Sequence, residues 1–441
     1  DFNMGAMENK GLNIFNTKCL LADADSTTDD EYRRVEAVVA HEYFHNWSGN
    51  RVTCRDWFQL SLKEGFTVYR EQCFSADMNS APLKRIEDVS LLRRAQFPED
   101  AGPLAHPVRP AEYREINNFY TATVYEKGAE LVRMLAGTLG AEGFRRGSDL
   151  YFSHNDGRAA TIEDFLAALG EANGTDLTPY LAWYGQSGTP RLKAHGDYDA
   201  ARREYTLTLS QHTPASYQQP HKQPLPIPVK VALFGADGGM LPLHLDGGGR
   251  TGSAETVVVL AETEQRFVFR DVDQRPVPSL LRGFSAPAIL ECDYTPAELA
   301  LLLGHDPDGF NRWEAGQQLA LRACDALRDG ASTDAADAWC DALATLFDDA
   351  RLDAALLADL LTPPGEVELA EREAVVDPAH IHALRQQLQR RLAARIGADK
   401  LDTRYRALAA QATSAIDAAS QASRSLKQRL LQLLALLDPA K

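Results

Sequence analysis

The sequence has neither a long apolar segment nor a basic one. No apolar run reaches the ~18 residues of a membrane-spanning helix, and no secretory signal peptide is visible. The net charge is −16 and the pI is near 5.2, so phosphate groups would repel the chain. The composition therefore predicts no membrane span, and it argues against a nucleic acid or an anionic membrane surface as a partner.

Cysteine is also scarce. The six cysteines form no CxxC pair and no dense framework, which argues against a structural zinc site or a disulfide scaffold. Reduced thiols are typical of cytoplasmic proteins, and we expect that location. The cysteines are Cys19, Cys54, Cys73, Cys292, Cys324 and Cys340.

Three patterns follow one another along the 441 residues, of which 44% are hydrophobic. Residues 1–188 are mostly helical in pattern, residues 189–292 alternate short strand-like runs with turns, and residues 293–441 are helical with short Gly and Pro breaks. A segment of about 100 residues with short strands is typical of one β-sandwich. The helices after it indicate an α-solenoid or an irregular bundle. We expect a multidomain α+β fold.

Two histidines four residues apart mark the first domain. Thr28 and Glu31 have capping-box spacing, so a helix is predicted to begin near residue 28 and to carry His41 and His45. One helical turn separates the two imidazoles, which places both within reach of a single zinc ion. Glu42 lies between them, with its carboxylate free to hold a water molecule and take its proton.

Glu64 is the predicted third ligand, because a catalytic zinc usually has three protein ligands. The apolar residues around Glu64 recur with helical period, so we expect it on a partly buried helix that folds back towards the first. A buried carboxylate needs a cation, and zinc supplies one. The residues alone thus predict one zinc ion bound by His41, His45 and Glu64.

Four motifs support a family resemblance: MGAMEN at residues 4–9, HEYFH at residues 41–45, Glu64, and Tyr125 in VYEKGA. On these motifs the chain resembles bacterial aminopeptidase N, of the zinc gluzincin metallo-aminopeptidases. The resemblance covers the whole chain and implies a thermolysin-like catalytic domain, a β-domain and a helical domain in that order. The family has a further β-rich domain before the catalytic one and a longer helical domain. We therefore expect this chain to be a fragment that lacks both.

The resemblance also implies a role for each residue of the predicted metal centre. His41, His45 and Glu64 would bind one zinc ion, and Glu42 would be the general base towards a zinc-bound water. Tyr125 would stabilise the oxyanion that forms on the scissile carbonyl group. Without the resemblance, Tyr125 would be taken as a core tyrosine on a helix predicted from residue 117 to residue 135.

The segment Gly5, Ala6, Met7, Glu8 and Asn9 is the implied substrate-binding element. Glu8 would bind the free α-ammonium group of a peptide, whereas a mid-chain peptide would leave this carboxylate buried and unpaired. The backbone of the segment would pair with the peptide as an added strand. The implied partners are peptides with a free N-terminal amine, and the complete protein would be a monomer in the bacterial cytoplasm.

Three other functions fit parts of the sequence. A thermolysin-like endopeptidase shares the zinc ligands and the base, lacks an amine-binding glutamate, and would cleave N-acetylated peptides. A catalytically idle interaction protein would use the helical domain to bind partners, but the intact catalytic residue types argue against it. Epoxide hydrolysis occurs in one branch of the relatives, and nothing in the sequence points to it.

Overall fold

The computed structural model describes residues 4–247, 252–411 and 413–437. Within these residues the chain is a multidomain α+β protein with a mostly helical first part, a two-sheet sandwich and a helical last part. The boundaries predicted after residues 188 and 292 stay predictions. The first boundary follows the last helix of the first part, which ends at Gly185. The second coincides with the end of the last strand of the sandwich at Cys292.

Local sequence signals set the start of the helix that carries the histidine pair. The Thr28 side chain accepts a hydrogen bond from the Glu31 backbone, and the Glu31 carboxylate accepts one from the Thr28 N–H at 2.8 Å. This is the predicted capping box, and three acidic residues in the first turn also favour the positive end of the helix dipole. The helices of the first part are α1 Asp29–Phe44, α2 Leu60–Met78, α3 Ala81–Leu91, α4 Phe97–Ala101, α5 Gly128–Asn155, α6 Ile162–Asn173 and α7 Leu181–Gly185.

The described residues of the first part also contain four short strands. Two of them form an antiparallel hairpin that pairs Ala6 with Phe15 and Met7 with Ile14, and two others form a short parallel pair. The hairpin lies before α1 in the chain and contacts it in space. The strands are β1 Ala6–Met7, β2 Ile14–Phe15, β3 Thr53–Cys54 and β4 Ala159–Ala160.

The single helix predicted from residue 117 is wrong. A 3₁₀ turn occupies Ile116–Phe119, and the chain leaves helical geometry at Tyr120, where φ is −87° and ψ is 73°. The Thr121 hydroxyl then accepts a hydrogen bond from the Val124 N–H at 3.2 Å and starts a new helical segment. That segment opens with a π-helical turn, Thr123–Lys127, and continues as α5.

Alternating burial explains the sandwich. In the strand Glu204–His212, Tyr205, Leu207 and Leu209 are buried and the residues between them are partly exposed, which is the pattern of a strand with one face on a core. The strands are β5 Arg191–Asp199, β6 Glu204–His212, β7 Ile227–Phe234, β8 Thr256–Leu260, β9 Glu264–Phe269, β10 Val277–Leu280 and β11 Ile289–Cys292. One sheet has the strand order β10-β7-β8 and the other β11-β5-β6-β9, with β11 and β5 parallel.

The last part consists of helices packed in pairs. Its final helix buries Leu430, Leu433 and Leu434, whereas Leu431 and Leu437 are more than a third exposed. This leucine-rich run therefore buries one face. The helices are α8 Pro296–His305, α9 Gly309–Arg328, α10 Asp334–Phe347, α11 Ala354–Leu360, α12 Glu366–Ala370, α13 Pro378–Ile396, α14 Ala398–Ala410 and α15 Ala418–Leu437.

The last part packs directly on the first. Ile86 and Val89 of α3 belong to the same buried apolar cluster as the helices that follow the sandwich. At one end of this contact Arg424 of α15 donates hydrogen bonds to both carboxylate oxygens of Asp29, at the start of α1. Across the described ranges, no helix combines the length and the hydropathy that crossing a membrane requires.

Candidate active site

The histidine pair lies at the end of α1. His41 is in the last turn, and His45 is the residue at which the helix ends, still with helical φ and ψ of −57° and −21°. The two Nε2 atoms are 2.9 Å apart. The His45 side chain is buried and that of His41 is slightly exposed, so both rings point inward from the same face of the helix, as their spacing predicts.

α2 brings Glu64 to the same point. Glu64 Oε2 lies 3.4 Å from His41 Nε2 and 3.2 Å from His45 Nε2. Two ligand atoms bound tetrahedrally to one zinc ion at about 2.0–2.1 Å are separated by roughly 3.3 Å, so these three atoms fit a single small ion. The three residues that the sequence singled out are therefore close enough to share one metal.

A second layer of hydrogen bonds fixes the His45 ring. His45 Nδ1 lies 2.8 Å from the Ser48 carbonyl oxygen and 3.2 Å from the Thr67 hydroxyl, which in turn lies 2.7 Å from the Ser48 hydroxyl. A proton on Nδ1 can be donated to the carbonyl oxygen, which leaves the Nε2 lone pair free for a metal. Sequence analysis missed Ser48 and Thr67, because hydroxyl residues near a zinc motif carry no signal of their own.

Glu42 lies between the two histidines in the chain and is buried. It is 6% exposed, and its Oε2 atom has no hydrogen-bond partner among the described residues. Burial raises the pKa of Glu42 to about 7, with His41 acting against the shift and Glu8 adding to it. A buried oxygen with no partner among the described residues fits a group that binds a water molecule or a substrate proton.

Lys63 joins two of the carboxylates. Its Nζ atom donates a hydrogen bond to Glu8 Oε1 at 2.7 Å and also contacts Glu64 Oε1. Burial opposes ionisation of both carboxylates, but the charge of Lys63 helps to lower the pKa of Glu64 well below its usual value, and His45 and Lys63 together lower that of Glu8. Lys63 was not assigned a role from sequence, although its position beside a buried Glu64 is a usable signal.

The hairpin supplies one wall of the cavity. Met4, Gly5, Ala6, Met7 and Glu8 line a cavity of about 910 Å³ together with the histidines and Glu64. The backbone carbonyl of Glu8 accepts a hydrogen bond from the Asn50 side chain at 2.7 Å, which ties the hairpin to the loop after α1.

Asn9 lies at the turn of this hairpin. It is exposed, and its carbonyl accepts a hydrogen bond from the Leu12 N–H at 3.0 Å. Of the predicted substrate-binding residues, Asn9 is the one that does not line the cavity.

Tyr125 reaches the same cavity from the π-helical turn. Burial raises the pKa of its hydroxyl well above the usual value, and the neighbouring Glu64 raises it further. The phenol therefore keeps its proton and remains a hydrogen-bond donor. Tyr120, which also lines the cavity, lies with its ring centroid 6.2 Å from that of Tyr125. A π-helical turn of this kind often marks a functional position in a helix.

Three protein-family models match successive parts of the chain. Residues 1–184 match the model described as the peptidase family M1 domain, residues 188–293 match a domain of unknown function (DUF3458) with an Ig-like fold, and residues 296–441 match the ARM repeats of DUF3458_C. The "ARM repeats" description agrees with the solenoid-like helices predicted for the last part.

Curated relatives include two bacterial enzymes. The chain is 45% identical over 438 residues to aminopeptidase N of Escherichia coli, with 98% of this chain and 50% of the relative covered. It is 49% identical over 441 residues to aminopeptidase N of Caulobacter vibrioides, with 100% of this chain and 50% of the relative covered. The chain thus spans about half the length of the curated relatives it matches.

A solved structure gives the same picture. The crystal structure of Legionella pneumophila aminopeptidase A in complex with aspartic acid superposes with a TM-score of 0.86 at 30% identity, and covers 100% of this chain and 49% of that chain. Residues 1–184 accordingly belong to peptidase family M1, and the chain as a whole is a homologue of bacterial aminopeptidase N.

Proposed function

We propose that this chain carries the active site of a zinc-dependent aminopeptidase, which removes the N-terminal residue from peptides. The observation that carries the proposal is the convergence of three ligand atoms, from His41, His45 and Glu64, within 3.4 Å of one another. Two imidazoles and one carboxylate are a usual ligand set for catalytic zinc. Family membership supports the same class, since its relatives are named aminopeptidases.

When bound there, zinc lowers the pKa of water to ~7 and polarises a carbonyl group. Glu42 takes the proton from the attacking water, and its buried, unpartnered oxygen leaves it free to do so. The same carboxyl group can then release the proton to the leaving amine.

Tyr125 donates a hydrogen bond to the carbonyl oxygen of the substrate as that oxygen gains negative charge. The raised pKa of the phenol keeps the donor protonated, and its place beside Glu64 puts it at the edge of the metal centre. Removing one such donor typically costs about 3 kcal/mol in the barrier.

Glu8 binds the α-ammonium group of the peptide, which restricts cleavage to the first bond. In the described structure Lys63 donates to Glu8 Oε1, so a substrate amine would share this carboxylate with Lys63. The backbone of β1 pairs with β2 along one edge only, among the described strands, and the other edge is free to pair with an extended peptide. Peptides with a free amine are therefore the proposed substrates.

The test uses the full-length protein and two chromogenic substrates, an alanyl amide and its N-acetylated form. We expect one zinc ion per chain and hydrolysis of the free amide only, and we expect Glu8→Ala to lose most of that discrimination. His154→Ala, on the exposed side of α5, is a matched control that should keep both zinc and activity. Equal rates on the two substrates with the parent protein would assign it to the endopeptidases instead.

Zinc binding is tested separately. His45→Ala and Glu64→Ala should each lose zinc in equilibrium dialysis, and tight binding by both variants would remove the ligand assignment. A monomeric complete protein and a cytoplasmic location stay predictions.

A further inference from the structure

The turn that carries Tyr125 is held at both ends by two consecutive acidic residues. Thr123 and Lys127 are the first and last residues of the π-helical turn, and each lies two positions from Tyr125. Glu99 contacts Thr123 and Asp100 contacts Lys127. None of these four lines the cavity that Tyr125 faces.

Glu99 closes the first end of the turn. One oxygen atom, Oε2, accepts hydrogen bonds from the Thr123 N–H and from the Thr123 hydroxyl, both at 2.8 Å. Gln96 donates to the same hydroxyl at 3.3 Å. The first N–H groups of a helical segment have no partner within it, so the Glu99 carboxylate fixes where this segment begins.

Asp100 closes the other end. Lys127 Nζ donates to Asp100 Oδ2 at 2.7 Å and to the Gly188 carbonyl at 3.0 Å, and both charged side chains are almost fully buried. Asp100 also accepts hydrogen bonds from the Gly188 N–H at 2.8 Å and the Thr189 hydroxyl at 3.1 Å. The far end of the turn is thus anchored to the segment that leads into the sandwich.

We propose that Glu99 is a positioning residue that holds the Tyr125 hydroxyl over the metal centre, in a turn whose other end Asp100 anchors through Lys127. This inference rests on the proposed role of Tyr125. A π-helical turn is less stable than a regular helical turn, and it persists where the surrounding structure fixes it. A partly buried contact at Thr123 and a buried one at Lys127, both from residues that do not line the cavity, meet that requirement and leave the cavity side of the turn to the substrate.

The test is a cycle of substitutions in the full-length, zinc-loaded protein. Glu99→Met removes the acceptor with little change in volume, and Glu99→Gln retains an acceptor oxygen. In the background with Tyr125 intact, we expect Glu99→Met to lower kcat about tenfold and to change KM by less than about threefold. A misplaced catalytic group typically lowers the rate on the order of 10- to 100-fold. Glu99→Gln should retain most of the parent kcat. Zinc content should be unchanged in both.

The decisive arm repeats Glu99→Met in a Tyr125→Phe background. If Glu99 acts through the Tyr125 hydroxyl, the second substitution should lower kcat by less than about twofold there. An equal loss in both backgrounds would overturn the inference and leave the role of Tyr125 standing. If Tyr125→Phe alone keeps full kcat, the proposed role of Tyr125 falls, and this inference with it.

If the Glu99→Met protein fails to fold, a second variant takes its place in the test. Thr123→Val removes the hydroxyl that Glu99 accepts from but keeps the backbone N–H bond. Its expected loss of kcat is smaller, about threefold, and should likewise disappear in the Tyr125→Phe background. A loss that persists there would contradict the proposal.

Discussion

Gly65 of α2 and Gly128 of α5 are in direct backbone contact. A Cβ atom on Gly65 would lie 2.7 Å from the carbonyl carbon of Gly128, and one on Gly128 would lie 2.2 Å from the Ser61 hydroxyl. Real Cβ contacts are longer than this, so only glycine permits the approach. The contact brings the helix of Glu64 against the start of the helix that follows Tyr125.

The first prediction concerns this contact. Gly65→Ala should lower the free energy of unfolding by about 1–3 kcal/mol, because the helices must separate to admit the methyl group. It should also lower kcat, since the separation moves Glu64 relative to Tyr125. Denaturant unfolding and steady-state kinetics measure the two effects.

The control is Gly137→Ala, in the exposed part of α5. A Cβ atom there would meet nothing within 4 Å, so this change should be neutral or stabilising by up to ~1 kcal/mol. Parent-like stability and kcat in Gly65→Ala would show that the close approach has no influence on the site.

The second prediction concerns the layer behind the histidines. Thr67→Val removes the hydroxyl that contacts His45 Nδ1 and Ser48, and loss of such a partner typically weakens metal binding about 10- to 100-fold. Competition with a chelator measures the zinc Kd. Thr345→Val removes an exposed hydroxyl from α10 and should leave the Kd unchanged. A parent-like Kd in Thr67→Val would mean that the Ser48 carbonyl alone orients the ring.

The third prediction concerns Glu42, the proposed general base, which should be needed for turnover and not for zinc binding. Glu42→Gln should keep one zinc ion but lower kcat by about 100- to 10,000-fold, because an amide can hold water and cannot take its proton. Metal analysis and kinetics on an alanyl amide are the measurements. Normal turnover by this variant would remove Glu42 from the mechanism.

The fourth prediction concerns the buried pair of Asp100 and Lys127. Burial disfavours the Asp100 carboxylate, but the Lys127 charge and the hydrogen bonds from Lys127, Gln96 and the Gly188 N–H together lower the Asp100 pKa below its usual value. Asp100→Asn leaves the Lys127 charge buried and should lower the free energy of unfolding by about 3–5 kcal/mol at pH 7.

The sign of the pH dependence follows from that lowered pKa. The contribution of Asp100 is fully present above the pKa of the unfolded chain, near 3.9, and is lost as the pH falls through the lower folded pKa. The difference between the parent and Asp100→Asn should thus be constant from pH 5 to 8 and shrink below about pH 4. Asp149→Asn, in an exposed pair with Arg145, should change stability by less than ~1 kcal/mol. A difference that grows on acidification would contradict the assignment.

Much of the fold followed from local signals. The capping box of Thr28 and Glu31 fixed the start of α1, and the helical periods around Glu64 placed it on a helix. The change from a helical to an alternating pattern after residue 188 predicted the sandwich. Where local signals competed, the prediction failed: the Thr121 hydroxyl and the bend at Tyr120 divide what periodicity alone presents as one helix.

The sequence by itself determined that His41 and His45 lie side by side, because they are neighbours on one helix, whose geometry is known before folding. Tertiary structure decided the rest. Lys63 meets Glu8 across 55 positions and Thr67 meets His45 across 22, and no periodicity encodes such contacts. They form only when packed helices bring distant segments together, so the groups that contact Glu8 and His45 became visible only in the folded chain.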